Sequence, residues 1–128
     1  MAKINNVVKE ALDKTEMVVL GTCGADGVHL SATWGEYVKN LGLIDDETIL
    51  IPAGGLEKTE ENLKLKNQIE VLIGSKQVAG KFGAGQGVSI SGKGEFIYSG
   101  EIFNKVKEKY SWIRAVLMIK IGSFTVQL

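Results

Sequence analysis

The chain has 128 residues, of which 45% are hydrophobic, and its 15 basic and 15 acidic residues cancel in charge. This length and composition predict one folded domain over residues 1–128 and exclude a disordered chain. The zero net charge provides no field to attract nucleic acid or an anionic membrane, so neither is expected as a partner.

The chain start and the rare residue types suggest a cellular setting. Residues 1–6 lack the charged and then apolar run of a signal peptide, and the longest apolar run, residues 115–119, is too short to span a membrane. The lone cysteine, Cys23, cannot form an internal disulfide, which favours a reducing, cytoplasmic location. One histidine and one cysteine also argue against a dedicated metal site.

The first element predicted along the chain is a short amphipathic helix. Its apolar residues recur at i, i+3, i+4, i+7 and i+8, which puts them on one face: Ile4, Val7, Val8, Ala11 and Leu12. A β-hairpin follows, with strands over 17–22 and 28–35 around the Asp-Gly turn at 24–27. The second strand alternates apolar and polar side chains, so the two sets lie on opposite faces: Val28, Leu30, Ala32 and Trp34 against His29, Ser31 and Thr33.

The middle of the chain is predicted to contain strands at 36–43, 48–52 and 69–75, with a polar turn at 45–47 and a helix at 59–66.

The last third begins with residues 78–87, whose four glycines predict a loop. Residues 88–98 alternate as a strand, and the glycines at 92 and 94 on its inner face indicate a bend or bulge. A short helix near 102–110 and a last strand over 112–126 complete the chain. Several short strands with edge helices and glycine bends favour a small closed or half-closed β-barrel, with a sandwich as the alternative.

The stretch over residues 49–62 is the most informative one. An apolar strand runs into the pair Gly54-Gly55 and then into Lys58-Thr59, which open a polar helix. Glycines let a ligand approach the backbone, a helix N-terminus offers unpaired N–H groups, and the lysine adds a positive charge. We therefore predict a phosphate site, although the spacing matches neither a nucleotide-hydrolase loop nor a dinucleotide fingerprint. The alternative is an ordinary strand–turn–helix connection with an exposed lysine.

No catalytic residue is predicted. The chain has no motif for a Ser/His/Asp set or a metalloprotease, and His29 and Cys23 have no visible activating partner. Trp34 and Trp112 are either core residues or flat walls beside a ring-shaped ligand. A phosphate site with aromatic walls and no catalytic base indicates a protein that binds a phosphorylated aromatic cofactor, which would then supply the chemistry.

Together these residues resemble the FMN-binding split-barrel superfamily, which includes pyridoxamine-phosphate oxidase, and within it the small FMN-binding proteins of sulfate-reducing bacteria. The resemblance covers nearly the whole chain. Its strongest blocks are residues 33–34, 52–62 and 74–87, and a weaker block is 112–115. The segment before Thr48 is slightly longer than in those relatives, which affects a turn and not the site.

The resemblance implies a mainly β fold, a six-stranded Greek-key split β-barrel with short flanking helices. It also implies a homodimer with one FMN in each groove between the chains, which the near-neutral charge weakly supports. The FMN phosphate would lie on Lys58 and Thr59, in agreement with the reading of residues 49–62. The other implied cofactor-binding residues border the ring and the ribityl chain, add polar contacts or shield the flavin: Thr33, Trp34, Pro52, Ala53, Gly54, Gly55, Ser75, Lys76, Trp112 and, from the partner chain, Leu128. Ala32 departs from the pattern, since the relatives carry an asparagine there.

The resemblance and the missing acid–base residues favour an FMN-binding electron carrier whose redox partner the sequence does not name. The alternative is an FMN-dependent oxidoreductase, either a flavin reductase or an enzyme like pyridoxamine-phosphate oxidase. The oxidase needs a second phosphate site rich in arginine and histidine near the end of the chain, whereas residues 119–128 contain neither and Arg114 is the only arginine. A third hypothesis is a small barrel that assembles without flavin.

Overall fold

A computed structural model describes residues 5–128 of the chain. Seven strands and four helices lie within them: α1 Asn6–Lys14, β1 Met17–Gly24, β2 Gly27–Trp34, α2 Gly35–Leu41, β3 Leu43–Ile44, β4 Thr48–Ala53, α3 Glu57–Leu65, β5 Gln68–Gly80, β6 Gly83–Ile97, α4 Glu101–Lys109 and β7 Ala115–Val126. None of these helices is both long and apolar enough to cross a lipid bilayer.

The strands form one antiparallel sheet in the order β2-β1-β5-β6-β7-β4-β3. The mainly β prediction is confirmed, whereas the described residues contain seven strands instead of six. The additional strand is β3, in which only Leu43 and Ile44 pair with β4. A pair of this length leaves no alternation in the sequence, which explains why the sequence did not predict it. β2 and β3 are the two edges of the sheet.

The core lies between the sheet and α1. Alternate residues of the strands point into it and are fully buried, among them Val18, Leu20, Ile69, Ile90 and Ile119. Helix α1 covers the sheet with its own buried side chains, Val8, Ala11 and Leu12. The amphipathic helix predicted near the start is therefore confirmed, except at Ile4, which lies outside the described residues.

The β1–β2 hairpin forms as predicted, with Gly24 paired to Gly27 and Gly27 at a φ of 104°. Its alternation is confirmed, but the apolar face is the exposed one: Val28, Leu30 and Trp34 are 75%, 67% and 50% exposed. The polar face, with His29, Ser31 and Thr33, is half-buried. Helix α3 packs against the hairpin, and Thr59 of that helix hydrogen bonds with Ser31.

The strand predicted at 36–43 is wrong, because residues 35–41 form helix α2. Val38 is the one large apolar side chain that α2 buries. A single buried position cannot distinguish a strand period from a helix period. Gly42, at a φ of 73°, ends the helix in the way glycines often do.

The loop predicted at 78–87 is also wrong. β5 continues to Gly80 and β6 begins at Gly83, so the connection contains only two residues. An added Cβ at Gly80 would lie 2.2 Å from the carbonyl oxygen of Gly85, which shows that the glycines permit close strand pairing here. The pairing shifts register between Ser75 and Ala79.

The bend predicted at Gly92 is confirmed by a register shift between Ser91 and Gly92. An added Cβ on Gly92 would lie 2.4 Å from the carbonyl oxygen of Lys120, so the bend brings the two backbones together. The helix predicted near 102–110 is α4. The last strand begins later than predicted, at Ala115, and Trp112 lies in the turn before it.

Candidate functional site

The connection between β4 and α3 leads into a helix N-terminus that is open to a ligand. Gly54, Gly55 and Leu56 join the two elements, and Leu56 has a left-handed conformation with a φ of 65°. The N-cap residue is Leu56, whose side chain makes no capping hydrogen bond to the first amides of α3. Uncapped N–H groups at the start of a helix carry partial positive charge and can bind an anion. Glu57 and Glu60, in the same turn, oppose that charge.

Lys58 extends from the first turn of α3 toward the β1–β2 turn. Its ammonium nitrogen lies 3.6 Å from Asp26 Oδ2 and 3.8 Å from Glu61 Oε1, and all three side chains are substantially exposed. Both distances exceed those of a charge-assisted hydrogen bond, about 2.7–2.9 Å, and exposed ion pairs are weak. Lys58 therefore retains hydrogen-bond donors for an anion.

Thr59 is buried, and only 1% of it is exposed. Its Oγ1 lies 2.8 Å from Ser31 Oγ, which ties the first turn of α3 to β2. Thr33 lies on the same face of β2 as Ser31, two residues along. The hydroxyl of Thr59 is therefore already hydrogen bonded within the fold. The backbone amide of Thr59, in the first turn, is still one of the uncapped amides at the start of α3. Sequence reasoning missed Ser31, although its alternation with Thr33 was the available signal.

Asn62, one turn further along α3, holds the helix against the hairpin. Its Nδ2 donates a hydrogen bond to Thr22 Oγ1 at 3.1 Å, and the whole residue is buried. The Oδ1 atom is buried, has no hydrogen-bond partner among residues 5–128, and lies next to Gly24. An added Cβ on Gly24 would be 2.1 Å from that oxygen. Gly24 is therefore required for α3 to dock closely on the turn that faces Lys58.

We expect Gly24→Ala to lower the free energy of unfolding by about 1–3 kcal/mol, because the packed amide of Asn62 must shift. Urea unfolding followed by circular dichroism measures this change. Gly87→Ala is the matched control, since its Cβ would meet ordinary contacts, the nearest at 3.6 Å. Equal stability of the two variants would contradict the close docking of α3 on the hairpin.

An aromatic wall stands beside the glycine pair. An added Cβ on Gly54 would lie 3.1 Å from the indole ring of Trp112, so that ring rests directly against the Gly54 backbone. Tyr37 and Tyr110 flank the indole, with ring centroids 5.5 and 5.7 Å away. Trp112 nevertheless remains 49% exposed. A supported but exposed indole provides a flat apolar surface next to the anion-binding helix terminus.

The two residues before the glycine pair are held by the sheet. Pro52 and Ala53 are buried and pair with Val116 and Ala115 of β7. Their side chains therefore belong to the core, and a ligand at this loop would meet their backbone. Pairing with β7 also brings Trp112, just before that strand, alongside the end of β4.

The predicted site residues described above form a first group around the β4–α3 connection: Thr33, Pro52, Ala53, Gly54, Gly55, Lys58, Thr59 and Trp112. A second group of predicted site residues lies elsewhere on the chain. Ser75, Lys76 and Leu128 line a mostly apolar cavity of about 680 Å³. Trp34 lines a neighbouring cavity of about 380 Å³, and the two cavities share Thr15 and Glu16. Within residues 5–128, no side-chain hydrogen bond joins this second group to Lys58 or Thr59. Thr33 and Trp34, adjacent in sequence, point to opposite faces of β2 and so belong to different groups.

Gln86 holds the backbone of Leu128. The amide oxygen of buried Gln86 accepts hydrogen bonds from the N–H groups of Gly87 and Leu128, at 2.9 and 2.7 Å, and its nitrogen donates to the Leu128 carbonyl. The Leu128 side chain stays 57% exposed. The backbone is thus fixed while the apolar side chain is displayed. Sequence reasoning did not identify Gln86, because an amide in a glycine-rich segment has no distinctive pattern.

Arg114 is a further residue of the first group that sequence reasoning did not select. Its Nη2 donates to the carbonyl oxygen of Gly55 at 2.7 Å and contacts Glu60 Oε1 at 3.0 Å. Glu60 also accepts a hydrogen bond from the Tyr98 hydroxyl. That hydrogen bond and the Arg114 guanidinium lower the pKa of Glu60 against the opposing effect of burial, and the bond to Glu60 raises the pKa of Tyr98. Glu60 is therefore an anion committed to these two partners.

Comparison with known proteins gives a family model and a close relative. The model described as pyridoxamine 5'-phosphate oxidase matches residues 4–126. The chain is also 36% identical over 114 residues to a protein of Nitratidesulfovibrio vulgaris strain Miyazaki F named FMN-binding protein, which covers 89% of this chain and 90% of that protein.

Solved structures show the same fold at low sequence identity. HupZ of Group A Streptococcus matches with a TM-score of 0.74 and 16% identity, over 96% of this chain and 93% of that one. An FMN-binding protein from Syntrophomonas wolfei subsp. wolfei matches with a TM-score of 0.68 and 17% identity, over 95% and 86%. These likenesses concern the fold alone, and with the family model they confirm the split-barrel architecture.

Proposed function

This chain belongs to the pyridoxamine 5'-phosphate oxidase family of split barrels, and we propose that it binds FMN and acts as a redox protein. One observation carries the proposal. The uncapped start of α3, with Lys58 in its first turn, lies next to the glycine pair against which the exposed Trp112 ring rests. A phosphate and a flat ring system on one molecule match these two neighbouring features.

The residues of the first group fit FMN. Lys58 and the α3 amides would hold the phosphate, because the exposed carboxylates of Asp26 and Glu61 only weakly offset the charge of Lys58. The backbone from Pro52 to Gly55 would border the ring, and Trp112 would cover it. When bound, FMN supplies the capacity to accept and donate electrons. The chain itself holds the cofactor and keeps water from one side of it.

We also propose that two copies of the chain form the working unit. The outward side of β1, β2 and β5 carries a contiguous apolar face, since the pairs Met17–Trp34, Gly21–Leu30 and Val19–Leu72 each share that side. This apolar face consists of Met17, Val28, Leu30, Trp34 and Leu72, each at least 46% exposed. A patch of this kind marks an interaction surface. The near-neutral charge of the chain sets up no repulsion between copies.

Dimerisation would explain why the predicted site residues form two groups. The second group, with Trp34, Ser75, Lys76 and Leu128, adjoins the apolar face: Met17 and Leu72 line the same cavity as Leu128. A partner seated on that face would bring its own Leu128 toward the first group of the other chain. The fixed backbone and exposed side chain of Leu128 suit such a contact.

We favour an electron carrier over an enzyme, because the buried polar side chains that residues 5–128 place at the first group are already engaged within the fold. Glu60 is engaged by Arg114 and Tyr98, and Thr59 by Ser31. We expect the protein with FMN to be reduced by a chemical reductant and reoxidised by an electron acceptor without consuming NADH or NADPH on its own. Steady consumption of either nucleotide would identify a flavin reductase instead.

The visible absorption spectrum of the purified protein tests the cofactor. We expect flavin bands and the release of about one FMN per chain on heating, as one phosphate site per protomer implies. A colourless protein that also fails to take up added FMN would contradict the proposed function and leave a split barrel that assembles without flavin.

Trp34→Ala is expected to shift the visible absorption maximum of bound FMN and its midpoint potential, because Trp34 would lie along the flavin. The substitution would expose the flavin ring to water and so change its surroundings. It removes no core side chain, because Trp34 is already 50% exposed. Spectra and spectroelectrochemistry measure both shifts. Phe82→Ala, at an aromatic residue 85% exposed in the β5–β6 turn, is the control. A spectrum and potential identical to those of the unmodified protein would remove Trp34 from the flavin site.

A further inference from the structure

Arg114 contacts both ends of the loop that joins β4 to α3. Its backbone N–H donates to the carbonyl oxygen of Ala53 at 2.9 Å, and its guanidinium donates to that of Gly55 at 2.7 Å. The loop between these points contains the glycine pair and leads into Leu56. Leu56, the N-cap residue of α3, makes no side-chain capping hydrogen bond, whereas Arg114 holds the loop from a separate segment of the chain.

The loop needs such support because Leu56 is strained. A non-glycine residue in the left-handed conformation, here at a φ of 65°, is strained and persists only when its surroundings impose it. The Gly55 carbonyl belongs to the peptide that precedes Leu56. The C=O and N–H of a trans peptide point in opposite directions, so a guanidinium that fixes the carbonyl also directs the Leu56 N–H away from Arg114.

The charge of Arg114 is already compensated. Its Nη2 lies 3.0 Å from Oε1 of the largely buried Glu60, which supplies most of the compensation, whereas the exposed Glu57 Oε1, 4.0 Å from Nε, is too distant to hydrogen bond and adds little. The guanidinium carbon stands 5.9 Å from the centre of the Phe96 ring, which covers one side of it. Arg114 thus has little free charge for a phosphate, in contrast to Lys58, whose ion pairs are exposed and long.

We propose that Arg114 is a positioning residue: it holds the Gly54–Leu56 loop in the conformation that receives the flavin ring, and it does not bind the phosphate. The proposal rests on the proposed function, because it takes this loop as the FMN site. Two cations thus act on different parts of the ligand: Lys58 on the phosphate, and Arg114 on the ring through the backbone.

Binding of FMN and of riboflavin, which lacks the phosphate, distinguishes the two roles. Arg114→Met keeps the apolar stem and removes the guanidinium, and we expect it to weaken both ligands by the same factor, about tenfold, as for one lost charged hydrogen bond. Lys58→Ala should weaken FMN alone. A loss confined to FMN would show that Arg114 binds the phosphate, and unchanged affinity for both ligands would remove it from the site. Either result overturns the proposal.

Amide hydrogen exchange without ligand gives an independent readout. In Arg114→Met, the backbone amides at positions 114 and 60, which donate to the carbonyl oxygens of Ala53 and Leu56 at the two ends of the loop, should exchange at least about tenfold faster, with those of β1 and β2 unchanged, because local opening is set by local contacts. Unchanged exchange would refute the positioning role even if flavin does not bind, whereas an unmodified protein that binds neither flavin would refute only the proposed function. If Arg114→Met fails to fold, Arg114→Lys, which keeps the charge but not the planar fork, is expected to show the same effects more weakly.

Discussion

Leu30→Arg is expected to separate the proposed dimer into protomers and to weaken FMN binding at least about 100-fold, because burying an uncompensated charge costs several kcal/mol. Leu30 lies in the middle of the apolar face and is 67% exposed in the protomer. The protomer therefore accommodates the arginine in water and should keep its fold. FMN is lost because the second group of site residues would come from the partner.

Sedimentation equilibrium and FMN titration measure these two effects together. The unmodified chain should sediment at twice the 13.8 kDa of one protomer, and the variant at 13.8 kDa. Leu65→Arg is the matched control, since Leu65 is 68% exposed but lies at the end of α3, away from the apolar face. An unmodified chain that sediments as a protomer, or a Leu30→Arg variant that still dimerises and binds FMN, would contradict the proposed assembly.

Lys58→Ala is expected to weaken FMN binding at least about tenfold. A charge-assisted hydrogen bond is worth about 1.5–3 kcal/mol, which corresponds to about 10- to 150-fold in affinity. Lys58 is partly exposed and has two acidic neighbours, Asp26 and Glu61, which places the effect toward the lower end of this range. The remaining affinity would come from the α3 amides and the ring contacts.

Isothermal titration with FMN measures the loss, and riboflavin serves as a second ligand whose affinity should not change. Lys64→Ala provides the matched control, because Lys64 lies in the last turn of the same helix. The affinity should also weaken with added salt in the unmodified protein, since screening acts on exposed charges. Equal FMN affinity in Lys58→Ala and Lys64→Ala would exclude Lys58 from the phosphate site.

Local signals in the sequence predicted much of the fold. The Asp-Gly turn and the alternation around it predicted the β1–β2 hairpin, and the glycine at 92 predicted the bend in β6, because turns and bulges depend on one or two residues. The start of α3 was predicted within two residues. The same signals failed at α2, because Val38 is the only large side chain that this helix buries. They also failed at residues 78–87, because glycines that suggest a loop here permit close strand pairing instead.

The sequence by itself determined which residues of α1 and of the β1–β2 hairpin share a face, where that hairpin turns, and that Lys58 lies in the first turn of a helix after a glycine pair. Only the tertiary structure decided which faces are covered. It left Leu30 and Trp34 in solvent, bound the Thr59 hydroxyl to Ser31, separated Ser75 and Leu128 from Lys58, and placed Arg114 on the Gly55 carbonyl. The reason is physical: periodicity relates neighbours along the chain, whereas burial and hydrogen-bond partners depend on segments about 30 to 60 residues apart, which only the strand order brings together.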